Sequence, residues 1–157
     1  MDNSVDSSPV RIVRLPAPDA DALRLIEEYY EAVHVVLRDD HAGIRQLVEE
    51  PGSGLWLAYL EGKAVGCVLS HRLESIPDAS ECKRLYVQPE ARGHRIAEAL
   101  MDALEAHAQS QGFRWIYLDT HHSLKPAIAL YGKRGYEACE RYNENPQATR
   151  FFRKRIG

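Results

Sequence analysis

The segment LYVQPEARGHRIAEAL, residues 85–100, decides how this chain is read. It opens with the apolar residues Leu85 and Val87 of an extended stretch, passes through a polar loop containing Pro89 and Gly93, and enters an amphipathic run. Ile96, Ala97, Leu100, Met101, Leu104 and Ala108 recur at helical spacing, and Glu98, Asp102, Glu105 and Gln109 fill the opposite face. The spacing predicts a helix over 96–111, with Gly112 placed to end it. A strand, a tight loop and a helix in this order expose backbone N–H groups at the helix N-terminus. Those groups and the helix dipole hold a phosphate without side-chain charge. Arg92, His94 and Arg95 stand in the same loop, where they can add charge to that.

Working outward, Ile12, Val13 and Leu15 predict a first strand, stopped by Pro16 and Pro18. Asp19 or Asp21 caps a predicted helix running to about Leu37, with Leu23, Ile26 and Tyr30 on one face. A second helix is expected over 42–50, ended by Pro51, Gly52 and Gly54. Strands over 55–60 and 64–71, joined at Glu61-Gly62, read as a hairpin, and 81–87 reads as the next strand. After the central helix come a short buried strand over 115–119, a helix over 126–134 with proline in its first turn, and strands over 136–142 and 149–156. The order is β-α-α-β-β-β-α-β-α-β-β, an α/β (α+β) fold. The strands on either side of the central helix should be parallel neighbours with a right-handed crossover.

The chain has 157 residues, enough for one domain with a substantial core. Residues 1–9 are polar and read as a disordered tail, leaving 10–157 as the folded domain. A net charge of −3 argues against a protein that binds nucleic acid through phosphate contacts. No apolar run reaches membrane-spanning length, and the N-terminus lacks the basic start and apolar core of a secretory signal. Cys67, Cys82 and Cys139 show neither metal nor disulfide spacing and read as small buried residues. A cytoplasmic location fits.

Two motifs at a characteristic distance make the chain resemble the GNAT superfamily of N-acetyltransferases. The coenzyme A loop of that family has the pattern Q/R-x-x-G-x-G/A, matched here by Arg92 and Ala97, with Arg95 where the family usually has glycine. Arg95 must point outward or supply charge to a phosphate. The segment AIALYGKRGYE, residues 127–137, resembles the A-x-x-L-Y-x-x-x-G-F/Y signature at Ala127, Leu130, Tyr131, Gly135 and Tyr136. Leu124 stands where the family often has asparagine. The resemblance covers nearly the whole chain after the tail and points to a bacterial branch whose substrates are mostly unassigned. It implies a mixed central sheet of six to seven strands flanked by about four helices.

The resemblance further implies an acyltransferase that moves an acetyl group from acetyl-CoA to an amine by direct attack in a ternary complex. The pantetheine arm would pair with the backbone of Leu85, Tyr86 and Val87. The pyrophosphate would lie on Arg92, Gly93, His94, Arg95, Ile96 and Ala97. An N–H near Val87 would polarise the thioester carbonyl. Tyr131, protonated at neutral pH, is the expected acid for the leaving thiolate; its alternative is packing between helix and sheet. Glu81 is the expected base, and needs a raised pKa to act efficiently; its alternative is a solvated strand-end glutamate. Strand alternation places Glu81 and Val87 on one face. His121, His122, Tyr142 and Asn145 are candidate acceptor contacts. No metal site is expected. The acceptor is expected to be a small-molecule amine, the alternatives being a protein lysine or N-terminus, or a non-catalytic coenzyme A-binding module. Unpaired edge strands near the C-terminus allow a homodimer.

Overall fold

A computed structural model describes residues 10–157; the expected disordered tail, 1–9, lies outside the described residues. The elements in chain order are β1 (Val10–Arg14), α1 (Ala20–Ala32), α2 (His41–Glu49), β2 (Gly54–Leu60), β3 (Lys63–Arg72), β4 (Ala79–Val87), α3 (Ile96–Ser110), β5 (Trp115–Thr120), α4 (Lys125–Lys133), β6 (Glu137–Ala138) and β7 (Arg150–Arg155). They form one seven-stranded sheet in the order β1-β2-β3-β4-β5-β7-β6. Among the described residues only β4 and β5 pair in parallel, joined by the α3 crossover as expected.

Local chemistry sets most boundaries. Asp19, not Asp21, caps α1, its Oδ1 accepting from the Ala22 N–H at 2.9 Å. Asp40 caps α2 by accepting from the Gly43 N–H at 2.8 Å. Glu61 and Gly62 both have positive φ, the conformation of a two-residue hairpin turn between β2 and β3. Two expectations change. Helix α1 stops at Ala32 rather than near Leu37, because the β-branched Val33, Val35 and Val36 favour helix weakly and His34 turns left-handed. The expected strand over 136–142 shrinks to Glu137–Ala138. Beyond it the chain leaves the sheet as a loop held by Arg141, which donates to the carbonyls of Asn143, Asn145 and Ala148.

The sheet is buried on both faces. On one face Val65, Val68, Cys82, Ile116 and Leu118 of the sheet pack with Ile96, Leu100, Met101 and Leu104 of α3 and Tyr131 of α4. On the other face Leu55, Leu57, Cys67, Leu69 and Tyr86 of the sheet pack with Leu25, Ile26 and Tyr30 of α1 and Ile44 of α2. Helix α3 presses close onto β3 at Gly66, where a Cβ would sit 3.0 Å from the Tyr86 carbonyl oxygen and 3.3 Å from Ile96 Cγ2. Arg134, at the end of α4, pairs with Asp102 at 2.7 Å and Glu105 at 3.0 Å on α3. Lys154 of β7 joins Glu105 at 3.0 Å, so α4 is fixed to both neighbours.

Strand β4 departs from simple alternation. Its pairing with β3 shifts register between Cys67 and Leu69, opposite Arg84, whose φ is +58°. Arg84 is the extra residue of a β-bulge. Cys82, Leu85 and Val87 therefore all pack toward α3, whereas Tyr86 packs toward α1. Alternation from Cys82 puts its neighbour Glu81 on the α1 face. Glu81 and Val87 consequently lie on opposite faces, contrary to the expectation from uninterrupted alternation.

Arg95 caps α3 in the left-handed region, φ 59° and ψ 32°, with no side-chain cap hydrogen bond. An L-residue pays roughly 1 kcal/mol there that glycine does not. Arg95→Gly should therefore raise the thermal midpoint by about 2–4 °C. A midpoint that is unchanged or lower would mean that the exposed Arg95–Glu98 pair outweighs the strain.

Candidate active site

The parallel ladder between β4 and β5 holds Ala79 to Trp115, Ser80 to Ile116 and Glu81 to Tyr117, then stops, although β4 runs on to Val87 and β5 to Thr120. Bulges terminate pairing, and this one lies just past the last paired residue. The β4 edge beyond Glu81 thus faces β5 without ladder bonds, and its backbone is open to an extended ligand added as a strand.

The loop from β4 to α3 ends at the same opening. A 3₁₀ turn, Pro89–Ala91, follows Gln88; Gly93 has φ 94°, and Arg92 Nε donates to the Val87 carbonyl at 3.3 Å. The consecutive backbone N–H groups of Gly93 to Glu98 donate to no acceptor among the described residues. Such a run at a helix N-terminus suits an anion, and the pyrophosphate expected there fits these donors. His94 turns its Nδ1 to the Ala91 carbonyl at 3.0 Å. Arg95 points outward, its side chain 77% exposed, and pairs with Glu98 at 3.0 Å. Its backbone conformation explains why glycine suits this position: the chain must turn left-handed there.

Tyr131 packs on the α3 and α4 side of the sheet, its ring centroid 5.8 Å from that of Tyr136 and 6.3 Å from that of Phe152. It is only 6% exposed, yet its hydroxyl has no hydrogen-bond partner among the described residues. Burial pushes its pKa well above 10, and Cys82, Tyr29 and Asp119 push the same way. Leu124, where asparagine was expected by resemblance, is the N-cap of α4, and it offers no side-chain cap.

The opposite face is polar. Glu81 is 4% exposed and accepts from three side chains: His71 Nε2 at 2.8 Å, Tyr142 OH at 2.7 Å and Asn143 Nδ2 at 3.0 Å. Asn143 Nδ2 also donates to Asp119 Oδ2 at 2.6 Å, and Asn145 Nδ2 to Asp119 Oδ1 at 3.3 Å. Burial alone pushes Glu81 up. The hydrogen bond from His71, the charge of Lys83 and the hydrogen bond from Tyr142 outweigh it and bring the carboxyl down to about 2. The raised pKa that base catalysis by Glu81 needs is not met; the carboxylate is held ionised. Tyr29 is pushed to about 12, by burial first, with Arg84 lowering and Asp119 raising. It thus sits within reach of both charges.

Several expected residues converge here. Tyr142 and Asn145 bond the two carboxylates, and Tyr142 packs edge-on against Tyr117 with centroids 5.0 Å apart. His121 and His122 stack at 4.2 Å just past β5; their Nδ1 atoms engage Ser123 at 2.7 Å and Thr149 at 2.9 Å. His121, but not His122, lines a depression with Val33, Val36, Leu124 and Gln147. Tyr86 turns its hydroxyl to Glu28 at 3.2 Å, away from α3. Sequence reading missed Tyr29, His71, Arg84, Asp119 and Asn143 as site residues. Asp119 and Arg84 lie in segments it singled out, but only the bulge and the loop over 139–149 bring them together. Among the described residues no group of three or more His, Cys, Asp or Glu side chains is arranged to hold a metal ion.

Glu81 titrates far below its ordinary 4.5. A depressed carboxyl contributes stability above its unfolded pKa and loses it as pH falls through the folded value. Replacing Glu81 with Gln should therefore lower stability near neutral pH by up to ~3 kcal/mol. The difference should close between about pH 4.5 and pH 2. Urea midpoints across that range check it, and a pH-independent difference would contradict it.

Residues 19–136 match the sequence model of the acetyltransferase (GNAT) family. An uncharacterised N-acetyltransferase of Schizosaccharomyces pombe is 32% identical over 143 residues, 87% of each chain. The uncharacterised N-acetyltransferase YjgM of Escherichia coli is 30% identical over 146 residues, again 87% of each. A crystal structure of a GNAT-family acetyltransferase from Staphylococcus aureus superposes with a TM-score of 0.81 at 19% identity, covering 95% of this chain and all of that one.

Proposed function

The chain belongs to the GNAT family of acetyltransferases, and from that premise we propose that it transfers an acetyl group from acetyl-CoA to the primary amine of a small molecule. The observation that carries the donor half is the β4–β5 ladder that stops at Glu81 and Tyr117 beside unbonded N–H groups at the start of α3. The acceptor half is supported by the polar face around Asp119 and by the cover over it. Gln147 donates to the Val33 carbonyl and accepts from the Val36 N–H, tying the loop over 139–149 to the α1–α2 connection. That closure suits a compact acceptor rather than an extended peptide.

In this reading the acetyl thioester is the only chemistry that acetyl-CoA supplies. The N–H groups of Gly93 to Glu98 hold the pyrophosphate, and the backbone of Leu85 to Val87 holds the arm. An N–H near Val87 stabilises charge developing on the carbonyl oxygen. The acceptor amine enters protonated and must lose a proton before attack. Glu81, locked as an anion by His71, Tyr142 and Asn143, holds the ammonium electrostatically rather than acting as base. Asp119, two residues past Tyr117, where the ladder between β4 and β5 ends, is the proton acceptor. Tyr131, with its proton tightly held, donates a hydrogen bond to the sulfur and yields the proton only as charge builds there.

Thiol release from acetyl-CoA across panels of small amines and lysine peptides tests the acceptor class; release with peptides alone would overturn it. Tyr131→Phe keeps the packing and should lower kcat by roughly 10²-fold or more at saturating acceptor. Unchanged turnover removes the acid role. For the base, Asp119→Asn should lower kcat at saturating acceptor by roughly 10²-fold or more, while Glu81→Gln acts mostly through KM; the reverse pattern exchanges the two assignments.

A further inference from the structure

Arg84 is the residue the proposed chemistry leaves unused. It holds a left-handed backbone in the middle of β4, which is rare for a side chain of this size and is met chiefly at functional sites. Its side chain is 7% exposed. A buried guanidinium needs a compensating anion, and the one present, the carboxylate of Asp39, comes from the α1–α2 connection and is itself 45% exposed. Arg84 Nε donates to the Tyr30 hydroxyl at 3.2 Å, and Nη2 donates to Asp39. Nη1 makes no hydrogen bond among the described residues and is not a fully buried atom, so it is left open to a further acceptor. The bulge that creates the opening also turns this guanidinium onto the α1 face, the face that bears Glu81 and Asp119. One buried cation and two carboxylates thus share one side of the opening, and Tyr29 lies within reach of Arg84 and Asp119 together.

We propose that the acceptor is an amino-carboxylic compound, its carboxylate taken by Arg84 in exchange for Asp39 and its amine turned to Asp119 and Glu81. This rests on the reading of the protein as an amine acetyltransferase. The planar fork of arginine matches a carboxylate in two parallel hydrogen bonds, and Nη1 supplies the donor that Asp39 leaves over. Asp39 then serves as an internal stand-in for the acceptor carboxylate. It keeps the buried charge paired until the acceptor arrives, so the acceptor need not meet an unpaired guanidinium. A mere latch holding the α1–α2 connection would give Arg84 no preference among acceptors.

The test compares acceptors in matched sets by thiol release: leucine, leucinamide and 3-methylbutylamine; β-alanine and ethylamine; 4-aminobutanoate and propylamine. The expected result is a kcat/KM for at least one amino acid roughly 10–100-fold above its uncharged or decarboxylated partner, from one charge-assisted contact. That ratio should fall toward unity in Arg84→Met, mostly through KM. Should Arg84→Met not fold, Asp39→Asn supplies the second arm: removing the competing carboxylate should raise the same ratio by lowering KM for the carboxylate-bearing member. Turnover of the plain amines with no preference for their carboxylated partners overturns the assignment while leaving amine acetylation intact. A ratio unmoved in both variants overturns it as well. If no set releases thiol although coenzyme A raises the thermal midpoint, amine acetylation falls and this inference with it.

Discussion

A single inserted residue in β4 governs the rest of the molecule. Arg84 lies in the left-handed region, a conformation costly for any residue but glycine, and the pairing with β3 slips by one at that point. Two consequences follow from that geometry. Past the bulge, Leu85 and Val87 turn to α3, closing the core on that side. Before it, the parallel ladder with β5 has already ended, so the sheet opens where its only parallel pair would otherwise continue. The strain stays in place because both sides of the bulge are anchored. Cys82 and Leu85 are packed under α3, and the Arg84 guanidinium is held by Tyr30 and Asp39.

The opening divides two kinds of chemistry between the faces of one sheet. On the α3 side, among the described residues, there are backbone donors without acceptors and a buried tyrosine hydroxyl without a partner. On the α1 side the carboxylates of Glu81 and Asp119 are held by amide and hydroxyl donors. The first suits an anionic, extended ligand; the second suits a compact, charged one. Helix α4 carries the tyrosine between them, and its pairing through Arg134 to Asp102 and Glu105 fixes that side chain relative to α3.

The network around Glu81 shows why residue type alone misleads about roles. A glutamate on a strand next to a ligand opening reads as a base. Here three donors converge on it, and a nearby lysine adds its charge, so the site is built to keep the carboxylate ionised. Asp119, with fewer donors and a position past the end of the ladder, carries less prominence in the sequence and a more open place in the structure.

Much of the fold is legible in the sequence, because hydrophobic periodicity, capping aspartates and turn glycines act over a few residues. The α3 stripe, the Asp19 cap, the Glu61-Gly62 turn and the parallel crossover follow from such local rules. The run of open backbone donors after β4 is legible too, since any strand–loop–helix of this length exposes N–H groups at its helix N-terminus. What only the tertiary structure decided is which side chains meet. The bulge at Arg84 inverts the alternation that would have joined Glu81 to Val87, and no propensity marks an arginine as left-handed. Residues 139–149 read as the end of a strand and the start of a loop, yet Tyr142 and Asn143 reach Glu81 on a strand far away in sequence. Arg95 shows both sides: its sequence position marks it as unusual, and only the fold reveals that the left-handed turn and outward side chain leave the adjoining backbone donors open.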